Sequence, residues 1–568
     1  MNYSPLSALT VELCDWLHQR FPTAPASAHA AASLCAQRAS EGHVCINLAQ
    51  EAGTNWQGET LPELADWLDA LDPCPFIARA GGFAPLIRDG DRLYLGRLWA
   101  DEVALAAALL ARAGSSKHDE ATIHAALAPW FGDGAADQSQ RQAAAIALGH
   151  RIAVIAGGPG TGKTTTVAKL LAAQASLSPG LRIQLAAPTG KAAARMVEAL
   201  EGAKARLGLD LATQAALPDS ATTLHRLLGF RPDSATPRHG PDNPLALDLV
   251  VVDEASMIDQ ALFTSLLAAL PARAQLILLG DPHQLASVQA GSIFSELVSL
   301  ADSGPASPLA AGIARLTVSH RFGGAIGELA GLSLRGEVAA ALNLLKAAPD
   351  GLRWQAGRMA QWQAELLAQL ATALPGYRQA VSASQPDEAW QHFNRLRLLC
   401  ALREGPCGVD AINRLIEQQL WRDAQRHDAR HAPWYAGRPV IIRSNAPALG
   451  LANGDIGLTL ATAEGLRVFF PSGTGWRALA PGRLPAHDTA FALTVHQAQG
   501  SEFDAIWLLL PDDDAAVLNR NLIYTALTRA RKQVWLWGSA STLATALERN
   551  PRRESGLAAR LIGTPAHL

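Results

Sequence analysis

Residues 151–164 read RIAVIAGGPGTGKT and run on into TTVAKLLAAQ. A short apolar run with no charge suits a buried strand, and the alanine- and leucine-rich run suits a helix. Between them lies the pattern G-x-x-x-x-G-K-[ST], whose glycines let the backbone curl until its N–H groups point at phosphate oxygens. The start of the following helix adds a favourable dipole for an anion. Gly157, Gly158, Pro159, Gly160, Thr161, Gly162, Lys163, Thr164 and Thr165 are therefore the candidate nucleotide-binding segment. In it Lys163 is placed to reach the β and γ phosphates of ATP, and Thr164 to ligate Mg2+. The alternative, a glycine-rich turn with a chance lysine, requires the flanking strand and helix to be accidental.

Outward from this loop, apolar runs alternate with helical segments: RIAVIAG (151–157), RIQLAAPT (182–189), LDLVVVDEAS (247–256) and AQLILLGDP (274–282). Uninterrupted apolar strands separated by helices predict a parallel sheet covered on both faces, with ligands at the strands' carboxyl ends. Asp253 ends one such run and Glu254 follows it. An acidic pair there suits phosphoryl transfer, one carboxylate holding Mg2+ while the other orients and activates the attacking water. Alone, this acidic pair reads equally well as a helix cap; beside a phosphate loop it gains meaning.

Further out, residues 1–115 form a small, mainly helical module that opens with LSALTVELCDWLHQRF. It closes with RLYLGRLWADEVALAAALLARAG, a segment that begins strand-like and turns helical. Leu95, Leu98 and Trp99 in this segment read as core or as anchors of a partner-facing patch. The small, polar stretch RAGSSKHDEA (112–121) is a plausible linker, after which 116–318 makes one α/β domain. Residues 229–247, rich in Pro, Gly and His, read as an inserted loop or hairpin. Helical segments are expected from about 320 to about 425. Then RPVIIRSN, DIGLTLAT and LRVFFPS suggest a small β-barrel insertion at about 430–490, before α/β character returns with AFALTVHQ, AIWLLLP and QVWLWGS. Residues 319–568 thus form a second α/β domain.

The 568 residues carry 49% hydrophobic and 17% charged side chains, a globular composition that excludes a disordered chain. The six cysteines form no C-x-x-C pair, so neither a zinc site nor a disulfide framework is implied, and a reducing cytoplasm fits them. Glu12 and Asp15 interrupt the first apolar stretch, which is no signal peptide, and no run reaches the ~20 apolar residues of a membrane span. A net charge of −3 argues against a generally basic surface, so contact with DNA must be local or shared with a partner. Asp512, Asp513 and Asp514 read as a solvated loop, because no further carboxylates and catalytic lysine surround them in a nuclease-like pattern.

Gln140, GGPGTGKTTT (157–166), APTGKAAARM (187–196), TTLHRLLG (222–229), VVDEASMID (251–259), LLGDPHQL (278–285), SHRF (319–322), TVHQAQGSEFD (494–504) and YTALTRARKQVWLWG (524–538) occur in that order. The set resembles the motif series of superfamily 1 helicases, which implies two RecA-like motor domains, the second bearing an SH3-like barrel. By that resemblance Gln140 reads the adenine edge, Gln284 senses the γ phosphate, and Glu502 contacts the ribose. Arg321 and Arg529 reach the triphosphate as arginine fingers, a task suited to a planar, permanently charged group. Without the motif series either arginine reads as a surface cation. Thr189, His225, Thr494 and His496 are implied to face DNA, holding its phosphates without sequence preference. A buried structural role is the alternative for the two histidines.

Beyond the motor motifs, HVCINLA and APLIRDGDRLYLGRLWADE near the N-terminus, with GRPVIIRSNAPALGLANGDIGLTL and GRLPAHDTAFALTVHQAQGSEF later, extend a resemblance to the RecD helicase family over nearly the whole chain. That implies a 5′-to-3′ single-strand DNA translocase without a nuclease site, partnered by RecB and RecC at duplex DNA ends, and a role in break repair, recombination and degradation of linear DNA. A free-standing helicase, a DNA-stimulated regulatory ATPase and an RNA helicase remain as alternatives.

Overall fold

The computed structural model describes residues 6–562 except 117, 232, 233, 235, 319–323, 421–433 and 474, and leaves the side chains of 136, 303, 305 and 420 undescribed. Among the described residues four larger sheets organise the chain.

The first parallel sheet has the order Ile313–Leu316, Ile152–Gly157, Gln275–Gly280, Leu249–Val252, Ile183–Ala187, Ala221–Thr223. Every neighbouring pair is parallel. Its strands are apolar at consecutive positions because both faces are covered. Val154, Val250, Val252, Leu276 and Leu278 pack into one core, while Ala153, Ile155, Val251, Ile277 and Leu279 pack into another on the opposite face. All four anticipated strands are present. The edge strands Ala221–Thr223 and Ile313–Leu316 are too short to stand out in the sequence. In the region 229–247 the described residues form a loop with one isolated bridge, Gly240 to Asn243.

The second parallel sheet runs Leu352–Gln355, Ala530–Trp537, Phe503–Leu509, Leu396–Cys400, Ala492–Thr494. Two of these strands lie where only helices were expected. Leu396–Cys400 carries Arg397, fully buried in the interior, which reads poorly as a strand core. The guanidinium is accommodated by donating to Ala490 O (3.0 Å) and by lying over Phe393, 3.8 Å from the ring centroid. Between helix Val409–Leu420 and the edge strand Ala492–Thr494 sits an antiparallel five-stranded sheet. Its order is Gly475–Leu479, Gly465–Ser472, Ile456–Thr462, Pro439–Ile442, His487–Thr489, two strands more than the sequence suggested.

At the N-terminus, helices Ala8–Arg20, Ala26–Ser40 and Leu64–Leu71 pack with a four-stranded sheet around Leu17, Leu34, Trp67 and Phe76. Helix Gly96–Ala111 belongs to both regions. Its Leu105, Ala106 and Leu109 enter the core of the first parallel sheet, and Gln260 donates to Leu98 O at 2.8 Å. A cut at residue 115 would therefore strip packing from the first parallel sheet. Leu98 and Trp99 pack partly inward, against Val44, Cys45, Tyr94 and Ala290. Trp99 also lines an apolar groove of about 450 Å3 beside the fully exposed Phe83. No described helix is long and apolar enough to cross a membrane.

Candidate functional site

The loop after strand Ile152–Gly157 turns directly into helix Lys163–Leu177. Gly160 and Gly162 sit at φ 76° and 83°, the left-handed region that favours glycine. Gly162 is constrained twice, since a Cβ there would lie 2.3 Å from Gln140 Nε2. That close approach lets the buried Gln140, on helix Ala135–Gly149, donate to Thr161 O at 3.3 Å. Lys163 Nζ donates to Gly157 O (2.6 Å) and Gly158 O (3.1 Å), so the ammonium is held against the loop.

Strand Leu249–Val252 delivers Asp253 to the same place. Burial, and then the neighbouring Glu254, push the Asp253 carboxyl above the usual carboxylate range, and Lys163 opposes them. Glu254 takes a left-handed backbone (φ 51°, ψ 40°) that costs a non-glycine residue ~1–3 kcal/mol, and its N–H donates to Asp253 Oδ1 at 2.8 Å. Strain of this kind persists where a side chain's placement is over-determined by its surroundings.

Residues from both parallel sheets meet in one cavity of about 980 Å3. It is lined by Gln140, Pro159, Gly160, Gly162, Lys163, Thr164, Thr165, Asp253, Glu254 and Gln284 from the first half and by Glu502 and Arg529 from the second. Gly157, Gly158 and Thr161 stand behind this wall. Thr161 Oγ1 donates to Gly158 O at 2.8 Å, and Gly157 backs onto Leu316 of the neighbouring strand. Arg529 is 3% exposed and is oriented by donating to Thr525 O and Ser501 O. Buried Gln284 donates through Nε2 to Asp281 Oδ2, while its Oε1 has no hydrogen-bond partner among the described residues. Arg321 lies outside the described residues.

Sequence reasoning missed three sets of contacts at and behind this wall. Arg195 donates to Gly500 O at 2.6 Å across the cleft and, with Arg531, flanks Glu502 at 3.9 and 3.3 Å. Tyr524 donates to Asp281 Oδ2 at 2.8 Å, binding the two halves behind the loop. Burial and then Asp281 push its phenol pKa up, keeping it a donor. Leu285 N donates to Thr525 Oγ1, and Gln499 Nε2 to Leu285 O. Arg195 and Tyr524 both stood inside quoted motifs; only the fold shows what they touch.

The residues present fit a divalent cation. Thr164, Asp253 and Glu254 supply a hydroxyl and two carboxylates on one wall. That donor set suits Mg2+, which commonly takes one or two protein ligands and completes its shell with water and phosphate oxygens.

Thr189, His225, Thr494 and His496 do not line this cavity. Thr189 caps helix Gly190–Leu207 and His225 is the second residue of helix Leu224–Leu228, each just beyond one of two adjacent parallel strands. His225 is exposed, which removes the buried-histidine alternative for it. Thr494 ends the edge strand of the second sheet, with its Oγ1 accepting from Gln497 N. His496 follows, half-buried, its imidazole pKa lowered by burial and then by Arg553. Asp513 and Asp514 are exposed on their loop, as expected: Asp512 accepts from Met359 N, Arg358 pairs with Asp513, and Arg549 pairs with Asp514.

Comparisons with known proteins cover the same elements. The family model for an AAA domain matches residues 140–290, beginning on Gln140. That for the UvrD-like helicase C-terminal domain matches 489–537, and that for the RecBCD enzyme subunit RecD N-terminal domain matches 4–94. The RecBCD enzyme subunit RecD of Mycolicibacterium smegmatis is 39% identical over 94% of this chain and 94% of its own length. That of Haemophilus influenzae is 31% identical over 93% of this chain and 92% of its length. The ATP-dependent RecD2 DNA helicase of Deinococcus radiodurans is 34% identical over 73% of this chain, which spans 51% of that protein. With a RecD N-terminal region, two parallel α/β motor sheets and end-to-end identity of this level, the chain belongs to the RecBCD enzyme subunit RecD family.

Proposed function

We propose that this chain is an ATP-dependent 5′-to-3′ single-stranded DNA translocase and helicase, the alpha subunit of a cytoplasmic RecBCD assembly. Residues 1–115 form its partner-binding part, 116–318 and 319–568 its RecA-like motors, and the antiparallel sheet within about 430–490 an SH3-like barrel. The observation that carries the reading is the single cavity in which the phosphate loop and carboxylates of one sheet face Arg529 and Glu502 of the other. Such a cleft senses nucleotide by changing its width, which is what a motor requires.

In this mechanism the loop from Gly157 to Thr165 cradles the phosphates with backbone N–H groups, and Lys163 exchanges its carbonyl partners for β and γ oxygens. Gln140 holds the adenine edge, while Arg195 and Arg531 set Glu502 for the ribose. Thr164 and Asp253 would hold Mg2+, which when bound neutralises phosphate charge. Glu254 orients the attacking water and accepts its proton; Gln284 faces the γ phosphate. Arg529 and Arg321 stabilise charge on the transferring group. Thr189, His225, Thr494 and His496 hold the DNA strand outside the cleft. Hydrolysis relaxes the contacts between halves, and the strand moves.

The free-standing reading is favoured less, because identity to the RecD subunit of Mycolicibacterium smegmatis is 39% over 94% of this chain, against 34% over 73% of it for the RecD2 helicase. Co-expression with RecB and RecC tests the choice. The proposal expects a stoichiometric heterotrimer in which Lys163→Ala removes 5′-to-3′ unwinding. A chain that stays monomeric beside both partners, or that unwinds only from 3′ tails, contradicts it.

A further inference from the structure

Beyond helix Ala540–Glu548 the chain crosses from one half of the molecule to the other within a few residues. Arg549 is anchored in the second half, where its guanidinium donates to Ala515 O (2.7 Å) and Leu518 O (2.9 Å). Only Asn550, Pro551 and Arg552 separate it from Arg553, which is anchored in the first. Arg553 donates through Nη1 to Gln289 O (2.8 Å) and Gly291 O (2.7 Å), and through Nη2 to Ser287 O (2.6 Å). A guanidinium's fan of N–H donors is suited to collecting several carbonyls of one bent loop.

The loop at 287–291 begins three positions after Gln284. Its upstream side is held by the second half through Leu285, and its downstream side by Gly291 N donating to Gly42 O at 3.0 Å. Gly42, at φ 96°, lies directly against Arg553: a Cβ there would stand 2.5 Å from Arg553 Cζ, so the guanidinium would have to shift. The guanidinium is thus pressed between an N-terminal turn and the loop that carries Gln284. The residues after Arg553 continue along the N-terminal region. Val44 N donates to Glu554 O (2.8 Å), Glu554 N to His43 Nδ1 (3.1 Å), Gly556 N to Glu102 Oε2 (2.9 Å), and Arg560 Nε to Glu102 Oε1 (2.9 Å).

We propose that Arg553 is a positioning residue for ATP hydrolysis: by gripping the carbonyls of residues 287–291 it sets Gln284 against the γ phosphate, and through residues 553–560 it ties that setting to the N-terminal region. The proposal rests on the reading of Gln284 as the γ-phosphate sensor. Arg553 lies outside all three matched family models and touches none of the cavity's wall. It acts through the loop. A short tether anchored at Arg549 and Arg553 feels any change in the separation of the two halves.

The test uses the intact chain and measures single-strand-stimulated hydrolysis for wild type, Arg553→Gln, Arg553→Lys, Gln284→Ala and the double variant Gln284→Ala/Arg553→Gln. Arg553→Gln is expected to lower kcat about tenfold while KM for ATP moves by less than about twofold. Arg553→Lys, which still donates to the carbonyls, should recover most of that loss. The double variant should be no slower than Gln284→Ala alone, because both changes remove one function. If Gln284→Ala is impaired but Arg553→Gln is not, or if the two losses multiply, the positioning role is overturned. If Gln284→Ala is itself unimpaired, the sensor reading fails and this proposal falls with it. Thermal melting of each variant separates a lost fold from a lost rate.

Discussion

The sheet within residues 152–316 and the sheet within 352–537 are both parallel and both buried on two faces, yet they bring opposite chemistry to their shared cleft. The first supplies glycines, a lysine and two carboxylates on loops that follow its strands directly. The second supplies Arg529, Arg531 and Glu502, with Arg529 buried and held by its own backbone carbonyls. In the proposed function one half binds the nucleotide and the other reaches a nucleotide already bound. Binding and hydrolysis should therefore separate genetically along the line between the sheets.

Lys163→Ala on the first sheet should show the largest effect. Removing a donor aimed at the transferring phosphoryl group costs ~3–4 kcal/mol, a roughly 10²- to 10³-fold loss in kcat, with weaker ATP binding besides. Steady-state hydrolysis and nucleotide titration check both parts. Arg529→Ala on the second sheet should lower kcat by about 10²-fold while leaving ATP affinity within a few fold, since the guanidinium acts on the transition state. Equal loss of affinity in the two variants would erase the proposed division of labour.

Gly162→Ala sharpens the comparison from the packing side. The added methyl meets Gln140 at 2.3 Å on a backbone at φ 83°, so a melting midpoint lowered by ~1–3 kcal/mol of stability and weakened ATP binding are expected together. Gly180→Ala, also at positive φ but with nothing near its Cβ, should lower stability without touching nucleotide affinity.

A smaller effect lies where the N-terminal region meets the C-terminal segment. Burial and then Arg38 hold the His43 imidazole below its ordinary pKa, Arg553 adding to them and Glu41 opposing. Its Nδ1 accepts from Glu554 N, which requires the neutral ring. The folded-state value is depressed, so this contribution is full above the ordinary value near ~6.5 and is lost as pH falls through the lowered one. Wild type should lose more melting temperature than His43→Gln between about pH 7 and about pH 5. Parallel curves would show that the imidazole does not report on this contact.

The two sheets also differed in how far the sequence disclosed them. The four inner strands of the first sheet announced themselves because each apolar run ended in a polar or glycine-bearing loop, the chemistry and the turn coinciding. The second sheet hid Leu396–Cys400 behind Arg397, whose burial depends on Ala490 O and the ring of Phe393, nearly a hundred residues away in one case and local in the other. The cavity residues proposed to face the nucleotide were legible as types, since phosphate loops and acidic pairs need those side chains at those spacings. Arg195 and Arg531 around Glu502, Tyr524 on Asp281, and Arg553 on the loop after Gln284 were not. Arg195 and Tyr524 depend on pairing across the cleft, Arg531 and Arg553 on partners far away in the chain, and no local pattern encodes such a distance. The helix Gly96–Ala111 shows the same limit, its apolar face serving the motor's core although the chain places it in the N-terminal region.

The most direct test is Glu254→Gln, assayed for ATP binding and for single-strand-stimulated hydrolysis beside Lys163→Ala. Glu254 stands on the binding sheet, yet its assigned task belongs to the chemical step, and its left-handed backbone holds it beside Asp253. The account predicts that the amide variant binds ATP as wild type does and traps it, with kcat lowered by at least about 10²-fold. If Glu254→Gln loses nucleotide as completely as Lys163→Ala, or hydrolyses ATP at the wild-type rate, this cleft does not work as described.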